Sequence, residues 1–255
     1  MINKSTEKQE ILNDFGQVIK VYEDELKELI NKKAGIQLEV FDVTKFILEE
    51  IIDLYKSIIV LYENNHVQSC LLITRPILES CINLLYIFQK DTEQRSNNFL
   101  IHPACSLLKD LEETEDEAPG KAETIIALRQ LKDGIKRSVN RNNYWDGKTF
   151  KDMCEELEEN EIYKMWYTRL SKYTHSQYKN RNLNWERPYG QFIKDLLTKK
   201  IILLSFQALK AINEKYNLLE GGAIINNYPH KGAKVFISIS SKEVDEQTAK
   251  QLKSS

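Results

Sequence analysis

An arginine and a histidine six residues apart, Arg169 and His175, bound the end of the run Trp166-Tyr167-Thr168-Arg169-Leu170-Ser171-Lys172-Tyr173-Thr174-His175. An imidazole titrates near neutral pH and can take or give a proton. A guanidinium presents a planar fork of donors that grips anionic oxygens. On a helix, Arg169 and Tyr173 share a face, as do Ser171 and His175, while Arg169 and His175 stand about a third of a turn out of line. A long guanidinium still reaches an imidazole if the helix ends near His175. The same spacing also arises by chance, and a histidine at a helix end also serves as a cap or a surface residue.

The residues that follow add weight. Gln177, Tyr178, Lys179, Asn180, Arg181, Asn182, Asn184, Trp185, Arg187 and Tyr189 mix cations, amides and aromatics. Cations meet phosphates, and aromatic faces stack on unpaired bases. A second basic run, Arg129, Lys132, Lys136, Arg137 and Arg141, has only Asp133 within it to oppose it. A solvated polar surface explains both runs equally well.

A different pair lies upstream. Arg75 and Glu79 are the only formally charged residues between Glu63 and Lys90. At i and i+4 they share a helix face and can pair, with Gln68, Asn83 and Tyr86 near the same stripe. Burying either ion alone would cost several kcal/mol, so the pair is expected to be largely buried and matched. It then either fixes helix register or forms a polar wall facing a site. Pro76, beside Arg75, removes a backbone donor and crowds residue 72.

Other chemistries find no support. There is no Gly-rich phosphate loop, HExxH or GxSxG motif, or nucleotidyltransferase carboxylate pattern. Ser171 has no evident third member for a hydrolase triad. The four cysteines, at 70, 81, 105 and 154, form no CxxC pair, and no histidine sits at zinc-finger spacing, so neither a disulfide framework nor a structural zinc is expected. No metal and no cofactor is expected. A formal charge of -2 and a pI near 6.2 argue against a constitutive nucleic-acid coat protein, though not against a local basic groove.

The elements that must position these residues are helices. Gly (9) and Pro (5) are scarce in 255 residues, so few positions punctuate the backbone. Ile11, Phe15, Ile19, Tyr22, Leu26 and Ile30 recur at spacings of three and four, predicting an amphipathic helix from about Glu7 to Lys33. A second helix is predicted from about Leu38 to Asn64. A third, His66 to Gln89, is apolar on nearly all sides. Its Arg75, Pro76, Glu79 and Asn83 argue against a membrane span, since each ion costs roughly 2.5–3.5 kcal/mol at a bilayer centre, and a central bundle helix is expected instead. An acidic connection with Pro119-Gly120 follows, then helical periodicity through Ile125, Leu128, Leu131 and Ile135. A loop around Asn142–Gly147, helices over about Phe150–Glu158 and Glu161–His175, and a last one over about Gln191–Asn217 complete the bundle. Ser176 to Tyr189 reads as irregular, and Val235–Ile239 as a minor strand. The chain thus divides into an N-terminal helix (1–37), a helical core (38–220) and a tail (221–255). Met1–Lys8 lacks the apolar stretch of a signal peptide, so a reducing cytoplasm is the expected compartment.

Arg75-x3-Glu79, followed by Tyr167–His175, resembles the bacterial helical proteins grouped as domain-of-unknown-function family 5677, over roughly Leu38 to Asn217. The Arg-x5-His spacing is also similar to the HEPN superfamily (higher eukaryotes and prokaryotes nucleotide-binding), whose ribonuclease members carry Arg-x4–6-His. That resemblance implies an all-helical bundle, commonly dimeric, that cleaves RNA without metal and often serves toxin–antitoxin or anti-phage systems; the sparse Gly and Pro and the sustained helical periodicity themselves predict an all-α bundle of about six to eight helices. An antitoxin or sensor protein would then be a further partner. Only Arg169 and His175 carry over as matched positions. Leu170 departs from the pattern, which places a polar residue directly after the arginine. The expected site is therefore Arg169, His175 and Tyr173 for catalysis, with Arg75, Glu79, Ser171, Lys179, Arg181 and Trp185 for binding. The alternative is a non-catalytic helical adaptor or sensor that uses the same polar cluster. A small-molecule-binding bundle using Arg75 and Glu79 is a third possibility.

Overall fold

The computed structural model describes residues 4–114, 119–133, 146–174 and 199–216. Among them the chain is all-α, with eight helices and no strand. Helix α1 (Lys4–Asn31) ends in a tight turn at Lys33–Gly35, and α2 (Leu38–Glu63) follows. Asn65, at φ 59°, takes the left-handed conformation between α2 and α3 (Val67–Gln89), a geometry that Asn tolerates better than most residues. Asp91, at φ 50°, does the same before α4 (Thr92–Glu113). Then come α5 (Lys121–Asp133), α6 (Phe150–Glu156), a π-helical turn (Ile162–Tyr167), α7 (Thr168–Thr174) and α8 (Ile201–Tyr216).

The core lies where α1, α2, α3 and α8 pack together. Ile11, Phe15, Val18, Tyr22 and Leu29 supply the buried stripe of α1. Ile30, read as part of that stripe, is instead 48% exposed. At the four-helix crossing, the Tyr22 hydroxyl donates to Ser205 O (2.9 Å), and Tyr55 Oη lies 2.8 Å from Ser205 Oγ. The Cys81 thiol is 3.5 Å from the same hydroxyl. All four side chains are fully buried. A satisfied polar knot of this kind costs little and fixes how the helices align.

By length and composition Ser69–Gln89 could cross a membrane, and 56% of its most apolar window is buried inside the protein. Its neighbours are α2 and α8, with α4, α6 and α7 packed along its remaining length. Helix α3 continues through Pro76, and α4 continues through Pro103.

Helix α4 is an element that the sequence reading did not single out. Its buried residues are polar in the first half, Thr92, Arg95, Ser96 and Asn98, and apolar only in the second, Cys105 and Leu108, so the apolar stripe covers half of its length. Helix α6 starts on a capping box in which Thr149 and Asp152 exchange side-chain-to-backbone hydrogen bonds, satisfying two orphan donors. It ends at Glu156, two residues short of expectation, with Glu158 left-handed at φ 61°. The segment Val235–Ile239, read as a strand, lies outside the described residues.

Candidate functional site

The two sequence motifs meet in space through Tyr167. Arg75 Nη2 donates to the Tyr167 hydroxyl at 2.8 Å, and Arg75 Nε donates to Glu79 Oε1 at 3.0 Å. The guanidinium carbon also lies 4.8 Å from the centre of the Tyr167 ring, within range of a cation–π attraction. Burial alone would lower the pKa of Arg75, but Glu79 and Tyr167 outweigh it and hold it above the usual guanidinium value.

This pair is less buried than expected. The Arg75 and Glu79 side chains keep 22% and 26% of their surface, because they sit at the margin of the bundle where α7 meets α3. Tyr86, on the same stripe, is fully buried and points to a different set of partners. The side chain of Gln68 lies outside the described residues.

Aromatic rings continue the contact. Tyr167 stacks on Phe150 of α6 with centroids 4.2 Å apart, and on Tyr163 at 5.8 Å. Tyr163 and Tyr167 both lie in the π-turn, whose wider spiral sets residues four apart nearly one above the other. Trp166 and Leu170, at 4% and 1% exposure, bury the inner face of the segment.

Arg169 is exposed on α7. At about 100° per residue it stands roughly 200° round the helix from Tyr167, so it belongs to the outer side and Arg75 to the inner one. Ser171 is half-buried, next to Leu170. The backbone of Tyr173 lies in the last turn of α7, while its side chain, together with His175, Lys179, Arg181 and Trp185, lies outside the described residues. Leu170, the departure from the HEPN pattern, has a local reason: it is the buried anchor of α7.

A second cluster escaped the sequence reading. Arg95, 4% exposed, donates to Glu156 Oε1 at 2.5 Å and to the Tyr86 carbonyl, with its guanidinium 3.5 Å over the Tyr86 ring. Lys90 and Lys148 pair with the same carboxylate. The Tyr86 hydroxyl and Asn98 donate to Asp146 at 2.8 and 2.6 Å. Burial pushes Glu156 up, yet Lys148, Lys90 and Arg95 together hold it down at about 2. These residues come from α3, α4, the segment before α6, and α6 itself, and only their convergence marks them. The basic run is also corrected in part: Arg129 pairs with Glu112 of α4 at 2.8 Å, an acid on a neighbouring helix that the run itself does not contain. Among the described residues no group of three or more His, Cys, Asp or Glu side chains could hold a metal ion.

Residues 41–189 match a family of unknown function, DUF5677. The matched stretch contains both Arg75–Glu79 and Tyr167–His175. No curated protein and no solved structure matches the chain.

Proposed function

We propose that this chain, which belongs to the family of unknown function DUF5677, is a metal-independent cytoplasmic endoribonuclease of HEPN type, acting in toxin or anti-phage defence. The observation that carries this reading is the exposure of Arg169 on a short helix tied to the core by its own Leu170 and by Trp166 and Tyr167 of the preceding π-turn. A cationic residue exposed on an anchored helix suits a long polyanion, which needs no enclosed pocket.

The chemistry follows from residue types. His175 takes the proton of a 2′-hydroxyl, the 2′-oxygen attacks the adjacent phosphorus, and the P–O5′ bond breaks as the 5′-oxygen of the next nucleotide takes a proton from water. A 2′,3′-cyclic phosphate and a 5′-hydroxyl result. Arg169 grips the non-bridging oxygens as charge grows on the phosphorane. Tyr173 positions the phosphate or stacks on a base, Ser171 offers a further hydrogen bond, and Lys179, Arg181 and Trp185 hold the flanking strand. In this scheme Arg75 and Glu79 serve the site indirectly, by holding α7.

The test is purified protein with mixed cellular RNA in EDTA, beside the His175→Ala variant. General acid–base catalysis contributes about 10²–10⁴-fold, so the variant is expected to lose activity by that factor with its helical signal unchanged. Equal cleavage by both proteins, or none by the wild type, would leave a non-catalytic adaptor or sensor as the reading.

A further inference from the structure

The junction between the π-turn and α7 contains one hydrogen bond that an uninterrupted α-helix would not make, and a side-chain bond beside it. The Thr168 N–H donates to Tyr163 O, five residues back, instead of to Lys164 O, four back. The Lys164 carbonyl is taken instead by the Thr168 hydroxyl, at 2.7 Å. A π-turn is rare, and such turns occur frequently at functional sites. It persists where contacts outside the helix hold it.

Tyr167 supplies that hold. Its hydroxyl receives Arg75 Nη2, and its ring stacks on Phe150 of α6. Adding or removing one residue turns everything downstream in a helix by about 100°. Closing the π-turn into α-helix would swing α7 by that angle, carrying Arg169 from its exposed station and drawing Leu170 out of its buried one.

We propose that Tyr167 is the positioning residue of the α7 site: by holding the π-turn, with Thr168 tying off the spare carbonyl, it sets the rotation at which Arg169 faces outward. The consequence for RNA rests on the ribonuclease reading, whereas the latch itself does not.

Two substitutions release the latch without removing bulk. Tyr167→Phe keeps the ring stack and loses the hydroxyl on Arg75, and Thr168→Val keeps the shape and loses the hydroxyl on Lys164 O. Cys70, Cys81, Cys105 and Cys154 are all buried, so a thiol introduced at the surface labels selectively. Arg169→Cys and Leu170→Cys are each placed in the parent and in both latch variants, and maleimide labelling rates are compared. In the parent, position 169 labels fast and 170 slowly. In either latch variant the ratio of the two rates is expected to fall at least about tenfold, as the buried position opens and the exposed one turns inward. An unchanged ratio in both variants would overturn the latch.

With Arg169 and Leu170 intact, each latch variant is then assayed on single-stranded RNA. Misplacement of a catalytic group is expected to lower kcat by about 10–100-fold while KM stays within about twofold. Variants that lose thermal stability but keep kcat would make Tyr167 merely structural and overturn its positioning role. A wild type that cleaves no RNA would remove the ribonuclease reading, and the labelling ratio would still decide the latch.

Discussion

Glu25 on α1 is fully buried, and neither of its carboxylate oxygens has a hydrogen-bond partner. Burial pushes its pKa up to about 8, against a lowering by Lys32 and with a further rise from Glu28. The unfolded chain releases this proton near pH 4.5, the ordinary value, whereas the folded protein keeps it until about 8. Between those values the folded state binds more protons, so stability falls as pH rises through the interval. The loss should be on the order of 5 kcal/mol across that window. Glu25→Gln, which cannot ionise, should flatten the slope, and melting temperatures at about pH 5 and pH 8.5 measure it. Parallel pH profiles for the variant and the wild type would show that Glu25 is ionised in the fold. Leu170 makes a complementary point at the same scale. Its type looked anomalous beside Arg169, and its burial explains the choice: this position anchors α7, so a polar side chain would be stranded in the core.

Between elements, two carboxylates of similar local appearance do different things. Glu79 pairs with Arg75, which keeps 22% of its side-chain surface and a second partner in Tyr167. Glu156 pairs with Arg95, which keeps 4%, and joins α6 to α3 and α4. Removing Glu156 strands a buried cation, so Glu156→Ala should cost about 3–5 kcal/mol. Water can reach Arg75 once Glu79 is gone, so Glu79→Ala should cost only about 1–2 kcal/mol, between the exposed and buried cases. Urea midpoints at constant slope compare them directly, and equal losses would refute the assignment of burial. The contrast also marks where sequence reading ends. Helical periodicity made α1, α2 and α3 legible because their buried stripes are apolar. Helix α4 buries Arg95, Ser96 and Asn98, which no hydrophobic pattern reveals. The i, i+4 spacing made the Arg75–Glu79 pair legible. Tyr167, 92 residues further on, was visible only as a neighbour of Arg169, because its contact with Arg75 depends on a π-turn that no local signal announced. Glu112 opposite Arg129 is a similar case of charge balance achieved across two helices.

For the molecule as a whole, the question is whether one chain suffices. The net charge is only -2, so attraction for RNA must come from a local concentration of cations instead of an overall field. A single α7 is seven residues long and contains one arginine, the exposed Arg169 next to Leu170. The described part of the second basic run is partly neutralised by Glu112. Two copies related by a two-fold axis would set two such helices beside one strand, and a closed two-fold pair is the commonest symmetric assembly. The ribonuclease reading proposed above carries the same expectation. Light scattering is therefore expected to give twice the chain mass of 29.9 kDa. If the composite site is what cleaves, activity per chain should fall on dilution through the dissociation range, following the dimer fraction. Mixing His175→Ala with wild type separates the alternatives: a site that needs both histidines loses activity faster than in proportion to the wild-type fraction, whereas independent sites lose it in strict proportion. A mass of 29.9 kDa at high concentration, with activity per chain unchanged on dilution, would assign the whole chemistry to one copy of α7 and the chain that follows it.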